Sequence, residues 1–211
     1  MVPEPVIGTD GRSPDGESGP QSHPVLIRRV GPGTSMASDN AFAVALLTLW
    51  HRVSAAGGFV LFAPPVERSA LAPTVSMMID QLRSGRTHAV AATENRAVIG
   101  FALLRPDVGA SAHTGAIEVL MVDPDLQRSG VGSLILQHTV DLAASLAVER
   151  VLVKLPAAAA VDVSKFFDQF GFAAAGRLPG WVRLADGSTM DQLLLTREVA
   201  PRTATGSITG R

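Results

Sequence analysis

The stretch Ile117–Gly132, IEVLMVDPDLQRSGVG, decides how this chain is read. Ile117, Val119 and Met121 alternate with Glu118, Leu120 and Val122, mostly residue types that suit a pleated surface, so a buried strand is expected. Glu118 and Leu120, two residues apart, would then share a face. Asp123-Pro124 ends the strand, because proline has no N–H for the ladder. Gly130 and Gly132, one residue apart, let the backbone bend closely around a ligand and present its N–H groups. From Val131 a helical pattern begins, with Val131, Leu134, Ile135, His138, Leu142 and Leu146 on one face. The first N–H groups of a helix lack intrahelical partners, and the helix dipole adds partial positive charge there. Strand, glycine turn and helix start together predict an anion site suited to phosphate on the amides of Arg128 to Ser133.

Spacing separates the phosphate ligands. A nucleoside triphosphate loop needs Lys-Ser/Thr after its last glycine, but Gly132 is followed by Ser133-Leu134. A dinucleotide loop needs a third glycine where Ile135 stands. What remains is Gln127-Arg128-Ser129-Gly130-Val131-Gly132 behind a strand ending Val122-Asp123-Pro124, which resembles the acyl-CoA loop of the GNAT superfamily of N-acyltransferases. The resemblance runs from about Val25 to Arg197 and is strongest from Glu118 to Phe172. Lys165–Phe172, KFFDQFGF, looks like the family's late helix; Phe166, Phe167 and Phe170 form its apolar stripe and Gly171 suits a left-handed cap.

The resemblance implies an α/β fold: a single domain with a mixed, mostly antiparallel sheet, a central splayed pair of parallel strands, and helices on both faces. It implies direct transfer of an acetyl group from acetyl-CoA, as cosubstrate, to a primary amine of a small molecule or peptide. The pyrophosphate would rest on Gln127, Arg128, Ser129, Gly130, Val131, Gly132 and Ser133, although Arg128 is equally readable as a solvated charge. The pantetheine arm would pair with Leu120, Met121 and Val122, where an N–H of Leu120 or Met121 polarises the thioester carbonyl. Glu118 would be the general base; otherwise it is a structural glutamate bonded to a neighbouring strand or loop. Two positions depart from the family pattern: Phe167 stands where a tyrosine protonates the leaving thiolate, and Ala160 where an asparagine holds the pantetheine. They keep open an alternative, a non-catalytic acyl-CoA-binding module. A purely structural domain is opposed by the diglycine loop, since a scaffold has no need of unpaired backbone donors.

Composition bounds the rest. At 211 residues one domain is expected, 25–199, with disordered tails at 1–24, rich in Pro, Gly and Ser, and 200–211. A net charge of −1 points to no nucleic-acid partner. The absence of cysteine excludes disulfides, thiolate-bound metal and an acyl-cysteine intermediate. His23, His51, His88, His113 and His138 share no metal-ligand spacing, so no metal is expected. There is no signal-peptide pattern and no apolar run of membrane-spanning length, so a cytoplasmic protein without a membrane partner is expected. The resemblance allows a homodimer, paired through edge strands or the last hairpin.

Along the chain, a first strand is expected at Val25–Val30 and a helix capped by Ser38, Asp39 or Asn40, with Leu46, Leu47, Trp50 and Val53 inward and Trp50 as core. Gly57-Gly58 stops it, Pro64-Pro65 breaks the chain, and a second helix runs to Arg83 with Gly85 as its stop. GGFVLFAPP at 57–65 is either a wall of the acceptor site or an apolar connector. A hairpin around Glu94-Asn95, a strand at Val151–Leu155, and a last hairpin of Ala173–Arg183 with Met190–Arg197, turning near Asp186-Gly187, complete the reading. Asp191 is expected to hydrogen-bond locally beside that turn, or else to bind a cationic substrate.

Overall fold

The computed structural model describes residues 24–200, apart from the side chains of 159–162. The expected tails therefore lie, but for Pro24 and Ala200, outside the described residues. The elements run β1 (Leu26–Val30), α1 (Ser35–Ser38), α2 (Asn40–Ala55), α3 (Arg68–Arg83), β2 (His88–Glu94), β3 (Ala97–Pro106), β4 (Thr114–Val122), α4 (Val131–Ser145), β5 (Arg150–Pro156), α5 (Ala160–Asp168), β6 (Ala173–Arg183) and β7 (Thr189–Glu198). The seven strands form one sheet in the order β1-β2-β3-β4-β5-β7-β6. Among the described residues only β4 and β5 pair in parallel, joined by α4 as crossover helix. The mixed sheet and its central parallel pair are as the sequence implied.

Each face of the sheet carries its own core. Leu46, Leu49, Trp50 and Val53 of α2, with Leu71, Val75, Ile79 and Leu82 of α3, pack on Ala89, Ala91, Phe101 and Leu103. On the other face, Val131, Ile135, Leu136 and Val140 of α4 and Phe167 of α5 pack on Val90, Ala102, Leu104, Val153 and Leu155. Asp39 caps α2 by accepting from Ala41 N–H, and Trp50 is core as expected, its indole N–H donating to Val60 C=O at 3.3 Å. Gly57 and Gly85 follow α2 and α3 with φ of 86° and 73°, in the left-handed region glycine tolerates. In the turn between β2 and β3, Asn95 and Arg96 both have positive φ, as a tight hairpin requires.

Two expectations about faces are corrected. Leu134 is 49% exposed, whereas Leu136, Thr139, Val140 and Ala143 are buried, so the inward face of α4 is rotated from the one read in the sequence. The helix approaches β3 closely at Gly100: a Cβ built there would lie 2.3 Å from Ile135 Cδ1 and 3.2 Å from Val131 Cγ1. Val131 and Ile135, both on the face read in the sequence, seat on that bare backbone. The strict alternation expected of β4 also fails, because Ile117 joins the core under α4 while Val119 and Met121 join the core under α2 and α3. In the register with β3, Leu103 faces Val119 and Leu104 faces Ile117, leaving Glu118 as the extra residue of a bulge.

Candidate active site

The parallel ladder is short. It joins Thr114 to Arg150 and ends at Ile117 with Val153, although β4 continues to Val122 and β5 to Pro156. On its other edge β5 pairs with β7 along its whole length, from Arg150 with Glu198 to Pro156 with Gln192. The β5-facing edge of β4 from Glu118 to Val122 is therefore outside any ladder among the described residues. Leu120 and Val122 lean toward the α4 side of this gap, and Met121 is buried toward α2.

Glu118 sits where the gap opens. Its Oε1 accepts from Arg105 Nε at 2.6 Å, and its side chain is 31% exposed. Arg105 continues the alternation of β3 and so shares the face of Leu103, the α2 side. Glu118 reaches it there, so Glu118 and Leu120 do not share a face; the bulge is the reason. Arg105 Nη1 is held in turn by Asp107 Oδ1 at 2.6 Å, and Asp107 Oδ2 accepts from Thr114 Oγ1 at 2.7 Å. The Glu118 hydrogen bond, more than anything else, holds the Arg105 guanidinium above its ordinary pKa. The Thr114 hydrogen bond, ahead of Arg105, holds the Asp107 carboxyl below the ordinary range.

The glycine loop follows β4. Asp123 N–H donates to Ile99 C=O at 2.8 Å, a short 3-10 turn spans Pro124–Leu126, and Arg128 and Gly130 take φ of 65° and 91°. Holding the non-glycine Arg128 there costs roughly 1–2 kcal/mol. Gln127 N–H and Ser129 N–H turn back onto Pro124 and Leu126 carbonyls at 3.4 Å, long bonds that the expectation for this loop did not include. Among the described residues the amides of Arg128, Gly130, Val131, Gly132 and Ser133 meet no protein acceptor, and Gly130, the N-cap of α4, supplies no side-chain cap. Beside Gly130 there is open space: a Cβ there would touch nothing within 4 Å. At Gly132 a Cβ would meet Val122 Cγ2 at 3.4 Å and the Phe166 ring just beyond, so this glycine allows α4 and α5 to close on the end of β4.

A strand edge outside its ladder, a bulged glutamate and a row of open amides at a helix start meet at one end of the parallel pair. The model of the acetyltransferase (GNAT) family matches residues 60–172, just over half of the chain. The chain belongs to the GNAT acetyltransferase family. As a GNAT protein it is an acyltransferase. Solved structures share its fold. An N-acetyltransferase from Staphylococcus aureus is similar at a TM-score of 0.67 and 16% identity, over 84% of this chain and 99% of that one. An acetyltransferase of the GNAT family from Streptococcus pneumoniae aligns at 0.64 and 18%, over 83% of this chain and 100% of that one. The ribosomal-protein-S18-alanine N-acetyltransferase from Escherichia coli aligns at 0.59 and 18%, over 86% and 99%. At these identities the likeness is one of fold. A comparison with curated proteins finds no match.

In this GNAT protein Phe167 is 2% exposed and packs edge-on against Phe166 and Phe172, with ring centroids 5.3 and 5.2 Å away. The side chain of Ala160 lies outside the described residues. In the 57–65 segment Val60 packs on the α2 core, whereas Leu61 and Phe62 are 52% and 38% exposed. Asp191 accepts from Gly180 N–H and Arg177 Nε across the last hairpin, the local bonding expected of it. Among the described residues no cluster of three or more His, Asp or Glu could hold a metal ion, and no helix is long and apolar enough to cross a membrane.

Three charged residues at the site escaped the sequence reading. Arg105 carried a faint signal, a cation ending the apolar run Ala97–Leu104. Asp123 was read as a strand stop alone. It is 7% exposed, and its Oδ1 accepts from Asp125 N–H at 3.1 Å and is ion-paired with Arg52 Nη2 at 2.9 Å. Arg52, on α2, carried no signal at all, because its partners lie more than seventy residues away in sequence.

Proposed function

We propose that the protein is an acetyl-CoA-dependent N-acetyltransferase acting by direct transfer to a primary amine of a small molecule or peptide. The observation that carries this reading is the row of amides at Arg128 and Gly130–Ser133 that, among the described residues, meet no protein acceptor, next to a strand edge without a ladder. Helix N-terminal amides favour phosphate oxygens, and a free strand edge suits the amides of a pantetheine arm along Leu120, Met121 and Val122. Gln127 and Ser129 shape the loop from within, and the Arg128 side chain lies at its exposed rim. In the reaction the amine nitrogen bonds to the acyl carbon and the C–S bond breaks. The amine gives a proton to Glu118, directly or through water, and the departing thiolate takes one from solvent. Glu118 has a second oxygen beyond the one bonded to Arg105, and the ion pair fixes the carboxylate in place. A peptide acceptor is in keeping with the substrate named for the Escherichia coli structure, a ribosomal protein's alanine. The reading places the enzyme in the cytoplasm.

Thermal unfolding with and without acetyl-CoA tests the reading, since a ligand that binds the native state alone raises its stability. At a hundredfold excess over Kd the gain is about 2.7 kcal/mol. No shift at millimolar acetyl-CoA would remove the proposal. A second reading, an acyl-CoA-binding module without turnover, is favoured by Phe167, which offers no proton, and by the engagement of Glu118 with Arg105. An amine panel decides between them: stabilisation by acetyl-CoA with no amine-dependent release of free thiol would select the module.

A further inference from the structure

Asp123 and Asp125 lie within the eleven residues that end in the open amides. Two carboxylates are unwelcome neighbours for a site that is to hold a diphosphate, because like charges repel over about a Debye length, ~10 Å at 0.1 M salt. One side chain from a distant element answers both. Arg52 Nη2, near the end of α2, lies 2.9 Å from Asp123 Oδ1 and 2.7 Å from Asp125 Oδ2. The three groups differ in burial, with side-chain exposures of 46% for Arg52, 10% for Asp123 and 82% for Asp125. Asp123 also accepts from Asp125 N–H, so the arginine and the 3-10 turn share one carboxylate oxygen at the hinge between strand and loop.

We infer that Arg52 is a positioning residue for the donor site: from α2 it neutralises Asp123 and Asp125 and holds the loop whose amides receive the anionic end of acyl-CoA. The inference rests on the acetyl-CoA reading above. Arg52 touches neither the open amides nor the gap; it acts through the two aspartates. One nitrogen, Nη2, meets both carboxylates.

The test is calorimetric titration of the full-length protein with acetyl-CoA. Wild type binding with measurable heat is the premise, and its failure would sink the proposed function rather than this inference. Arg52→Met is expected to weaken binding about tenfold at 50 mM salt, with the loss falling on KM more than on kcat. Arg52→Lys is expected to recover part of that loss. Adding Asp125→Asn to Arg52→Met is expected to restore about threefold, because one uncompensated carboxylate is then gone. Should Arg52→Met not fold, Asp125→Asn alone still decides. Asp125 is exposed, and its loss leaves Arg52 on Asp123 with a surplus of positive charge, so acetyl-CoA should bind about twofold tighter, an effect that fades at 1 M salt. Wild-type affinity in Arg52→Met overturns the inference. So does a double variant as weak as Arg52→Met, or an Asp125→Asn variant that binds no tighter than wild type.

Discussion

Arg105 donates from Nε to Glu118 Oε1 at 2.6 Å, across the bulge that makes Glu118 the one residue of its strand segment without an opposite number on β3. The bulge aims the glutamate away from Leu120, and the guanidinium then holds it at the mouth of the β4–β5 gap. Glu118→Gln keeps an oxygen for Arg105 and should leave the fold intact. If Glu118 takes the amine's proton, kcat falls about a hundredfold, in the usual range for a general base, and acetyl-CoA affinity is unchanged. Steady-state kinetics beside calorimetry check this. Undiminished turnover would leave Glu118 as a partner of Arg105 and nothing more.

Gly130→Ala tests the open amides. A φ of 91° is costly for alanine, about 1 kcal/mol, but there is room for the methyl, so the protein should fold. If the diphosphate fills the open space beside Gly130, acetyl-CoA affinity should fall at least tenfold. A variant that binds as wild type would show that the diphosphate lies elsewhere.

Gly100→Ala probes the seat of α4. Its Cβ would stand 2.3 Å from Ile135 Cδ1, so the isoleucine must leave its place or the helix must lift. Overpacking of this kind costs about 1–3 kcal/mol, seen as a lower Tm. Ile135→Val removes the colliding methyl, and the double variant should be more stable than the sum of the single effects predicts. Simple additivity would mean that the helix does not bear on this glycine.

Stability should fall in two steps as pH drops, each with its own residue. His88 is partly buried, and desolvation lowers its pKa, so the unfolded chain binds a proton that the folded one refuses. Its contribution is whole above about 6.5, the value of a free imidazole, and fades as pH falls below that toward the lower folded value. His88→Gln should flatten this first step in urea midpoints measured from pH 7.5 to 5. Asp107 supplies part of the second step. Its folded pKa is depressed, chiefly by Thr114 Oγ1, so its stabilisation is present above the ordinary carboxylate value near 3.9 and is lost as pH falls through the lower folded one. Thr114→Val should move acid unfolding to higher pH. A variant that unfolds at the wild-type pH would deny the hydrogen bond this role.

The elements were legible because their signals are local. The β4 strand shows its apolar run, the loop its Gly130 and Gly132, and α2 its Asp39 cap; the last hairpin begins and ends within a residue of the ranges read from Ala173–Arg183 and Met190–Arg197. Two kinds of information were not there to be read. One is rotation: a helix with apolar residues on more than one stripe does not declare which it buries, and α4 buries Leu136 and Val140 while leaving Leu134 exposed. The other is pairing at a distance, as Arg52 with Asp123 or Arg105 with Glu118, since an arginine looks the same in sequence whether it faces water or a carboxylate.

By itself, then, the sequence determined a strand, a glycine turn and a helix whose first amides would lack partners, because proline, glycine and apolar spacing act within a few residues. Only the tertiary structure decided where Glu118 points and what holds it. A bulge is a property of two strands in register, and so is the β4–β5 gap, where the ladder stops at Ile117 with Val153 although both strands run on, which no local pattern in either strand encodes.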